Sequence, residues 1–258
     1  MSTVSADIAT QLPAPPATGA DTGWALFLDV DGTLLDIACH PDDVHVDPRL
    51  RGDLHRLLDR LDGALALLSG RTLSQLDTLF DWNRHAAAGL HGAELRGPDG
   101  EARITGDATA FARIRSHAVE LVAATKGVML EDKRLALALH CRHAPAACDA
   151  AERIAQMLLR EAGGHYVLQR GDRVFELKPA GVDKGRALAA LMRDAPFRGR
   201  TPWMLGDDLT DEDAFRHLNA NGGVSVIVGA RRPTEARYAL DDPAAVRAWL
   251  RALAETAR

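Results

Sequence analysis

Four short apolar runs, each ending abruptly in glycine or a polar side chain, constrain the fold of this chain more than any other feature. Residues 24–30 lead into Asp31-Gly32, residues 64–68 into Ser69-Gly70-Arg71, residues 202–205 into Gly206-Asp207-Asp208, and residues 223–228 into Gly229. Runs of this length bounded by turn formers read as buried parallel strands. Leu50, Leu54, Leu57, Leu58 and Leu61 recur at helical spacing after the first run. Residues 184–194 and 211–220 read as further helices, the second with Thr210 as its expected N-cap and the acidic Asp213 three residues on. Strands alternating with helices predict an α/β fold with a doubly wound parallel sheet.

The middle of the chain follows a different rhythm. Residues 134–142 alternate, with Leu135, Leu137, Leu139 and Cys141 on one face and Ala136, Ala138, His140 and Arg142 on the other. Helical patterns flank this strand: Phe111, Ile114, Leu121 and Val122 before it, Ile154, Met157 and Leu158 after it. Residues 166–168 and 174–177 read as further strands. The expected organisation is a flexible tail over 1–23, rich in Ala, Thr and Pro, a core built from 24–96 and 179–258, and a smaller α+β domain over 97–178 inserted as a cap. Hinges are expected where Gly and Pro cluster, at 97–100 and 179–181.

A formal net charge of −5, with the 31 Lys and Arg scattered among 36 Asp and Glu, argues against a nucleic-acid binder or a membrane-surface protein. No apolar run approaches the roughly 20 residues that span a bilayer. Cys39, Cys141 and Cys148 show no CxxC pairing, so three reduced thiols and a cytoplasmic location are expected.

Chemistry concentrates at the ends of the strands, where open α/β sheets place their ligands. Asp29 and Asp31, two residues apart with Gly32 allowing a tight turn, suit a hard cation such as Mg²⁺ or a division into nucleophile and acid. Asp-Gly alone is a common turn; the strand before it sets this one apart. Asp207, Asp208, Asp211, Glu212 and Asp213 place five carboxylates in seven residues, which repel unless a cation or hydrogen-bond donors compensate. The helix dipole accounts for Asp211 to Asp213 but poorly for Asp207 and Asp208. Ser69 can bind phosphoryl oxygens and Lys184 can neutralise their charge, though each alone is a weak signal.

Together and in this order, these motifs resemble the haloacid dehalogenase superfamily of phosphotransferases. The resemblance implies Asp29 as the nucleophile that forms an aspartyl-phosphate and Asp31 as the acid, then base. It implies Ser69 and Lys184 as phosphoryl ligands, and Mg²⁺ held by Asp29, the Asp31 carbonyl and Asp207, with Asp208 and Asp211 in support. Within the superfamily, the stretches starting at Gly89 (GLHGAE), Leu130 (LEDK), Val174 (VFELKP), Asp183 (DKG) and Gly206 (GDDLTDEDAF) are similar to trehalose-6-phosphate phosphatases. That resemblance implies hydrolysis of a phosphorylated disaccharide, with Glu131, Lys133 and Glu176 of the cap binding sugar hydroxyls; a monomer is expected. Arg71 is a further substrate contact or a loop brace, and His140 and Arg142 are weaker candidates to line the cap. His91 and Glu94 are expected to be structural, holding the core–cap hinge. A phosphatase of another sugar phosphate, a phosphomutase and a non-catalytic binding domain remain alternatives.

Overall fold

The computed structural model describes residues 12–16, 23–37 and 44–255. The four apolar runs become β1 (Trp24–Leu28), β2 (Leu65–Leu68), β10 (Thr201–Gly206) and β11 (Val224–Val228). Further strands in chain order are β3 (Ala87–Gly89), β4 (Glu94–Arg96), β5 (Ala102–Ile104), β6 (Met129–Asp132), β7 (Leu137–His140), β8 (Tyr166–Gly171), β9 (Val174–Pro179) and β12 (Tyr238–Leu240). The helices are α1 (Pro48–Arg60), α2 (Leu73–Phe80), α3 (Ala108–Ala123), α4 (Cys148–Ala162), α5 (Lys184–Leu191), α6 (Glu212–Ala220) and α7 (Pro243–Glu255).

The large sheet runs β12-β11-β10-β1-β2-β3-β4-β5, parallel from β12 to β3 and antiparallel at β4 and β5. β1 lies between β10 and β2, so the crevice beyond its carboxyl end is the switch point of the sheet. Leu26, Phe27 and Leu28 are fully buried in the core cluster, which explains why β1 reads as unbroken apolar sequence instead of alternating. The second sheet, β6-β7-β9-β8, is antiparallel throughout. Leu137, Leu139 and Cys141 pack with Phe111 and Ile114 of α3 and Ile154 and Leu158 of α4, as the alternation over 134–142 predicts. Leu135 departs from that pattern and joins Leu90, Ala93 and Ala136 in a small cluster between the two sheets.

Several expectations need correction. Gly97–Gly100 is the turn between β4 and β5 within the large sheet, so it is no hinge, and 97–104 pairs with the core. The chain crosses to the second sheet around Gly106, which has φ +118° and packs on Pro179 at the return crossing. Residues 12–16, part of the expected flexible tail, dock on the core. Pro13 O accepts from Ala239 N at 3.0 Å, and Pro16 O from Trp249 Nε1 at 3.3 Å. Asp211, not Thr210, is the N-cap of α6, because the Thr210 hydroxyl donates to Asp208 instead.

Cys141 and Cys148 form a disulfide, against the expectation of reduced thiols. The chain reverses after β7 and brings the two Cα atoms to 5.2 Å, inside the range a disulfide spans. Cys39 lies outside the described residues. No helix among the described residues is long and apolar enough to cross a membrane.

Candidate active site

Asp29 leaves the end of β1, and its backbone N–H donates to Leu205 O of the neighbouring β10 at 3.0 Å. The chain then turns tightly: Gly32, at φ +86°, returns an N–H to Leu35 O at 2.7 Å. A Cβ on Gly32 would lie 2.1 Å from Asp207 Oδ2. Only a glycine lets the Asp207 carboxylate, arriving from β10, lie against the turn that follows Asp29.

Lys184 opens α5 behind the Asp183 N-cap and is fully buried. Its ammonium donates to Asp29 Oδ1 at 2.6 Å and Asp211 Oδ1 at 2.7 Å. Burial by itself would push this lysine down, but Asp211 and Asp29 outweigh it and hold its pKa well above the usual range. The second Asp211 oxygen accepts from the backbone N–H groups of Asp207 and Asp208 at 2.9 and 3.1 Å. Asp211 thus fixes the loop that carries Asp207. Asp208 Oδ1 is held by the Thr210 N–H and hydroxyl at 2.8 and 2.6 Å. Arg231 reaches the Asp207 and Asp208 carbonyls and pairs with Glu212. These donors offset part of the repulsion among the five neighbouring carboxylates, those of Asp208, Asp211 and Glu212 being held directly.

Oxygens of Asp29, Asp207 and Asp211 lie within 4.8 Å of one another. Burial, then Asp211 and Asp208, push Asp207 up to about 7. Burial also lifts Asp29 well above the carboxylate range, against the pull of Lys184. An all-oxygen, crowded and desolvated donor set of this kind fits a hard divalent cation. With Asp211 engaged by Lys184 and two backbone amides, Asp29 and Asp207 have the freer oxygens.

Ser69 follows β2, is buried, and accepts from the Arg71 N–H at 3.1 Å. Arg71 donates to both Asp31 oxygens through Nε and Nη2, each at 2.7 Å, so in this arrangement it braces Asp31. The Asp31 side chain is 37% exposed and faces the cavity.

Across a cavity of about 900 Å³ from these residues lies the open face of the second sheet, which contributes Glu131, Lys133, His140, Arg142 and Glu176. Lys133 Nζ donates to Glu176 Oε1 at 3.2 Å and to Gly70 O of the core at 3.0 Å. His140 Nε2 pairs with Glu131 at 2.9 Å, so this histidine has a partner and is not simply solvated. Burial would raise Glu176, but Lys133 and His91 hold it far below the usual carboxylate range. The residues expected to act on phosphate, sugar and metal therefore border one cavity, except that Asp211 is fully buried and does not line it. The sequence reading gave Glu94 a structural role, and its carboxylate accepts from Leu73 N at the start of α2 while its backbone pairs with Ile104, just before the crossing. It missed Arg231, whose only signal was the surplus of acid in the 207–213 loop that it serves.

A trehalose-phosphatase family model matches residues 27–244. A probable trehalose-phosphate phosphatase of Sinorhizobium fredii is 43% identical over 90% of this chain and 88% of its own length. The trehalose-6-phosphate phosphatase of Escherichia coli K12 is also 43% identical, over 93% and 89%. Among solved structures, the C-terminal domain of the C. albicans trehalose-6-phosphate phosphatase superposes with a TM-score of 0.78 at 22% identity, covering 94% of this chain and 98% of that one. With a family model spanning most of the chain and relatives this similar, the chain belongs to the trehalose-phosphatase family, on a haloacid dehalogenase-like fold.

Proposed function

We propose that the protein hydrolyses trehalose 6-phosphate to trehalose and inorganic phosphate, acting as a monomer with Mg²⁺. The observation that carries this reading is one cavity, from a single chain, with Asp29, Ser69 and Lys184 on one wall and Glu131, Lys133 and Glu176 on the other. Phosphate chemistry and sugar recognition thus face each other across a space typical of small-molecule sites.

In this reading Asp29 attacks phosphorus in line, and the bond from phosphorus to the sugar oxygen breaks. Asp31 gives its proton to the departing alkoxide. Asp31 then takes a proton from water, whose oxygen attacks the aspartyl-phosphate and releases Asp29 and phosphate. Mg²⁺ held by Asp29, the Asp31 carbonyl and Asp207 would supply positive charge that lets two anions meet. Ser69 and Lys184 orient the phosphoryl oxygens. Arg71 competes between Asp31 and the substrate phosphate, and transfer of its guanidinium to the phosphate frees Asp31 to carry a proton. The cap carboxylates and Lys133 bind disaccharide hydroxyls by charge-assisted hydrogen bonds.

Residues 105–178 act as the cap on the core, and closure excludes water from the transferring group. A charged sugar phosphate does not cross a bilayer unaided, so the reading places the enzyme in the cytoplasm with its substrate.

Phosphate release from trehalose 6-phosphate, sucrose 6-phosphate and glucose 6-phosphate, with Mg²⁺ and with EDTA, tests the proposal. Mg²⁺-dependent turnover confined to trehalose 6-phosphate is expected. Preference for another sugar would keep the Asp29 chemistry and remove the roles given to Glu131, Lys133 and Glu176. Silence on every substrate would remove both.

A further inference from the structure

Leu90, His91 and Gly92, in the link between β3 and β4, have φ of +49°, +56° and +105°. Positive φ is costly for leucine and histidine, about 1–3 kcal/mol at each such position. The turn is fastened from below: Leu90 N donates to Arg71 O at 2.8 Å and His91 N to Ser69 O at 2.9 Å. Its backbone therefore grips both ends of the turn 69–71. The His91 ring lies directly over the middle of that turn, where a Cβ on Gly70 would meet Nε2 at 2.7 Å.

From there the ring reaches into the second sheet. His91 Nε2 lies 3.1 Å from Glu176 Oε2. The other Glu176 oxygen accepts from Lys133, which also donates to Gly70 O. The contacts close a circuit from Gly70 through His91, Glu176 and Lys133 back to Gly70, crossing twice between the two sheets. His91 is almost fully buried, and its Nδ1 has no hydrogen-bond partner. Burial, which outweighs the pull of Glu176, holds the imidazole below its usual range. A neutral ring facing a carboxylate donates from Nε2, leaving Nδ1 as a bare acceptor. The ring thus orients Glu176 without competing with Lys133 for its charge.

We propose that His91 is a positioning residue that sets Glu176 at a fixed distance from the phosphate-binding turn 69–71, so that sugar and phosphate are gripped in register. This rests on the reading of Glu176 as a sugar ligand and adds a core residue to the determinants of specificity.

The test compares trehalose 6-phosphate with p-nitrophenyl phosphate, which uses the phosphate site but offers no sugar hydroxyls. Wild-type turnover of the two is measured first and by itself decides the parent reading. A better rate on another sugar phosphate would remove the sugar-binding role of Glu176 and overturn the proposal with it, before any variant is made. His91→Phe keeps the ring volume and removes the donor; His91→Gln returns an N–H. His91→Phe is expected to raise KM for the sugar phosphate about 10- to 100-fold, the range for a lost hydrogen bond to a charged group. Its kcat/KM for p-nitrophenyl phosphate should change less than about threefold, and His91→Gln should recover most of the sugar-phosphate KM. In a Glu176→Gln background, His91→Phe should add nothing further. Equal losses on both substrates, or effects of the two substitutions that multiply, would overturn the proposal. Should His91→Phe fail to fold, as judged by thermal melting, His91→Ala takes its place against the same outcomes.

Discussion

Lys184 shows how a single residue can be costly and still necessary. Withdrawing an ammonium from water costs several kcal/mol, recovered only with excellent geometry, and two carboxylates within 2.7 Å provide it. The burial that makes the lysine expensive also leaves it aimed at Asp29, where an incoming phosphate would meet it already dehydrated. Gly32 is the matching case for a residue with no side chain. Gly32→Ala would combine a backbone at φ +86° with a methyl 2.1 Å from Asp207 Oδ2, so Asp207 would have to move. Misplacing a catalytic group by about 1 Å can cost roughly 100-fold. We expect Gly32→Ala to melt as a folded protein and to release phosphate about 100-fold more slowly, with more Mg²⁺ needed for half-maximal rate. Gly100→Ala is the control: φ is +81° and nothing lies within 4 Å of the added Cβ. Strain without collision should lower its melting temperature and leave its rate alone. Matching rates in the two variants would show that the Asp207 contact is not what Gly32 protects.

At the scale of elements, legibility followed burial. β1, β2, β10 and β11 are buried almost throughout, so their sequences are unbroken apolar runs that turn formers delimit. β3 is only Ala-Ala-Gly, with little strand propensity, and β5 is exposed along its whole length. Neighbouring strands impose both, which is why the core boundary was expected at 96 when the sheet continues through Ile104. α7 carried a readable signal in Val246, Trp249, Leu250 and Leu253, a helical stripe that the sequence reading left unassigned. The Asp29, Ser69 and Asp207 motifs were legible because each follows a buried strand. The bond between Arg71 and Asp31, 40 residues apart, and the His91–Glu176 contact depend on tertiary approach, which local spacing does not encode. Proline content suggested a loose tail, yet the segment Leu12–Pro16 covers an aromatic stack. Trp24 lies 3.9 Å from Trp203, and Trp249 stacks 6.0 Å from Trp203. Prolines lose little entropy on docking, and Pro13 O occupies an otherwise free N–H on the sheet's edge strand β12. Deleting residues 1–16 should shift tryptophan emission to the red and lower the melting temperature by several degrees, given about 2–4 °C per kcal/mol at this size. Phosphate release at low temperature should persist, since Leu12–Pro16 does not line the cavity. Unchanged emission and melting would mean that the strap contributes nothing to the fold.

Across the whole molecule, the two sheets meet through a small set of buried polar groups whose protonation couples stability to pH. Lys133 and His91 hold Glu176 well below the usual carboxylate range against the effect of burial. Below a pH of about 4.3, the unfolded chain begins to bind a proton at this carboxylate while the folded chain does not. The unfolded state then carries more bound protons, so stability rises with pH through this window and falls as acid is added. The contribution is fully present above the unfolded value and disappears only as pH drops through the lowered folded value. Lys133 runs the other way: Glu176 and Glu131 outweigh its burial and raise it. Its share is complete below about pH 10.4 and is lost as pH climbs past the raised folded value. The Glu176–Lys133 pair between the sheets should therefore be intact from about pH 5 to 10. His91, held below its usual range by burial, already lowers stability as pH falls below about 6.5, in wild type and Glu176→Gln alike. Melting temperatures of wild type and Glu176→Gln, followed from pH 7 to pH 3, test this directly. Removing one member of a buried charged pair costs about 3–5 kcal/mol, so the two curves should be well separated at pH 7. They should converge as pH falls below about 4.3, because acid takes from the wild type what the substitution has already removed. Parallel curves over the whole range would mean that Glu176 is not held as a buried anion. The contact between the sheets would then depend on apolar packing around Leu90, Ala93 and Leu135 and not on the charged circuit above it.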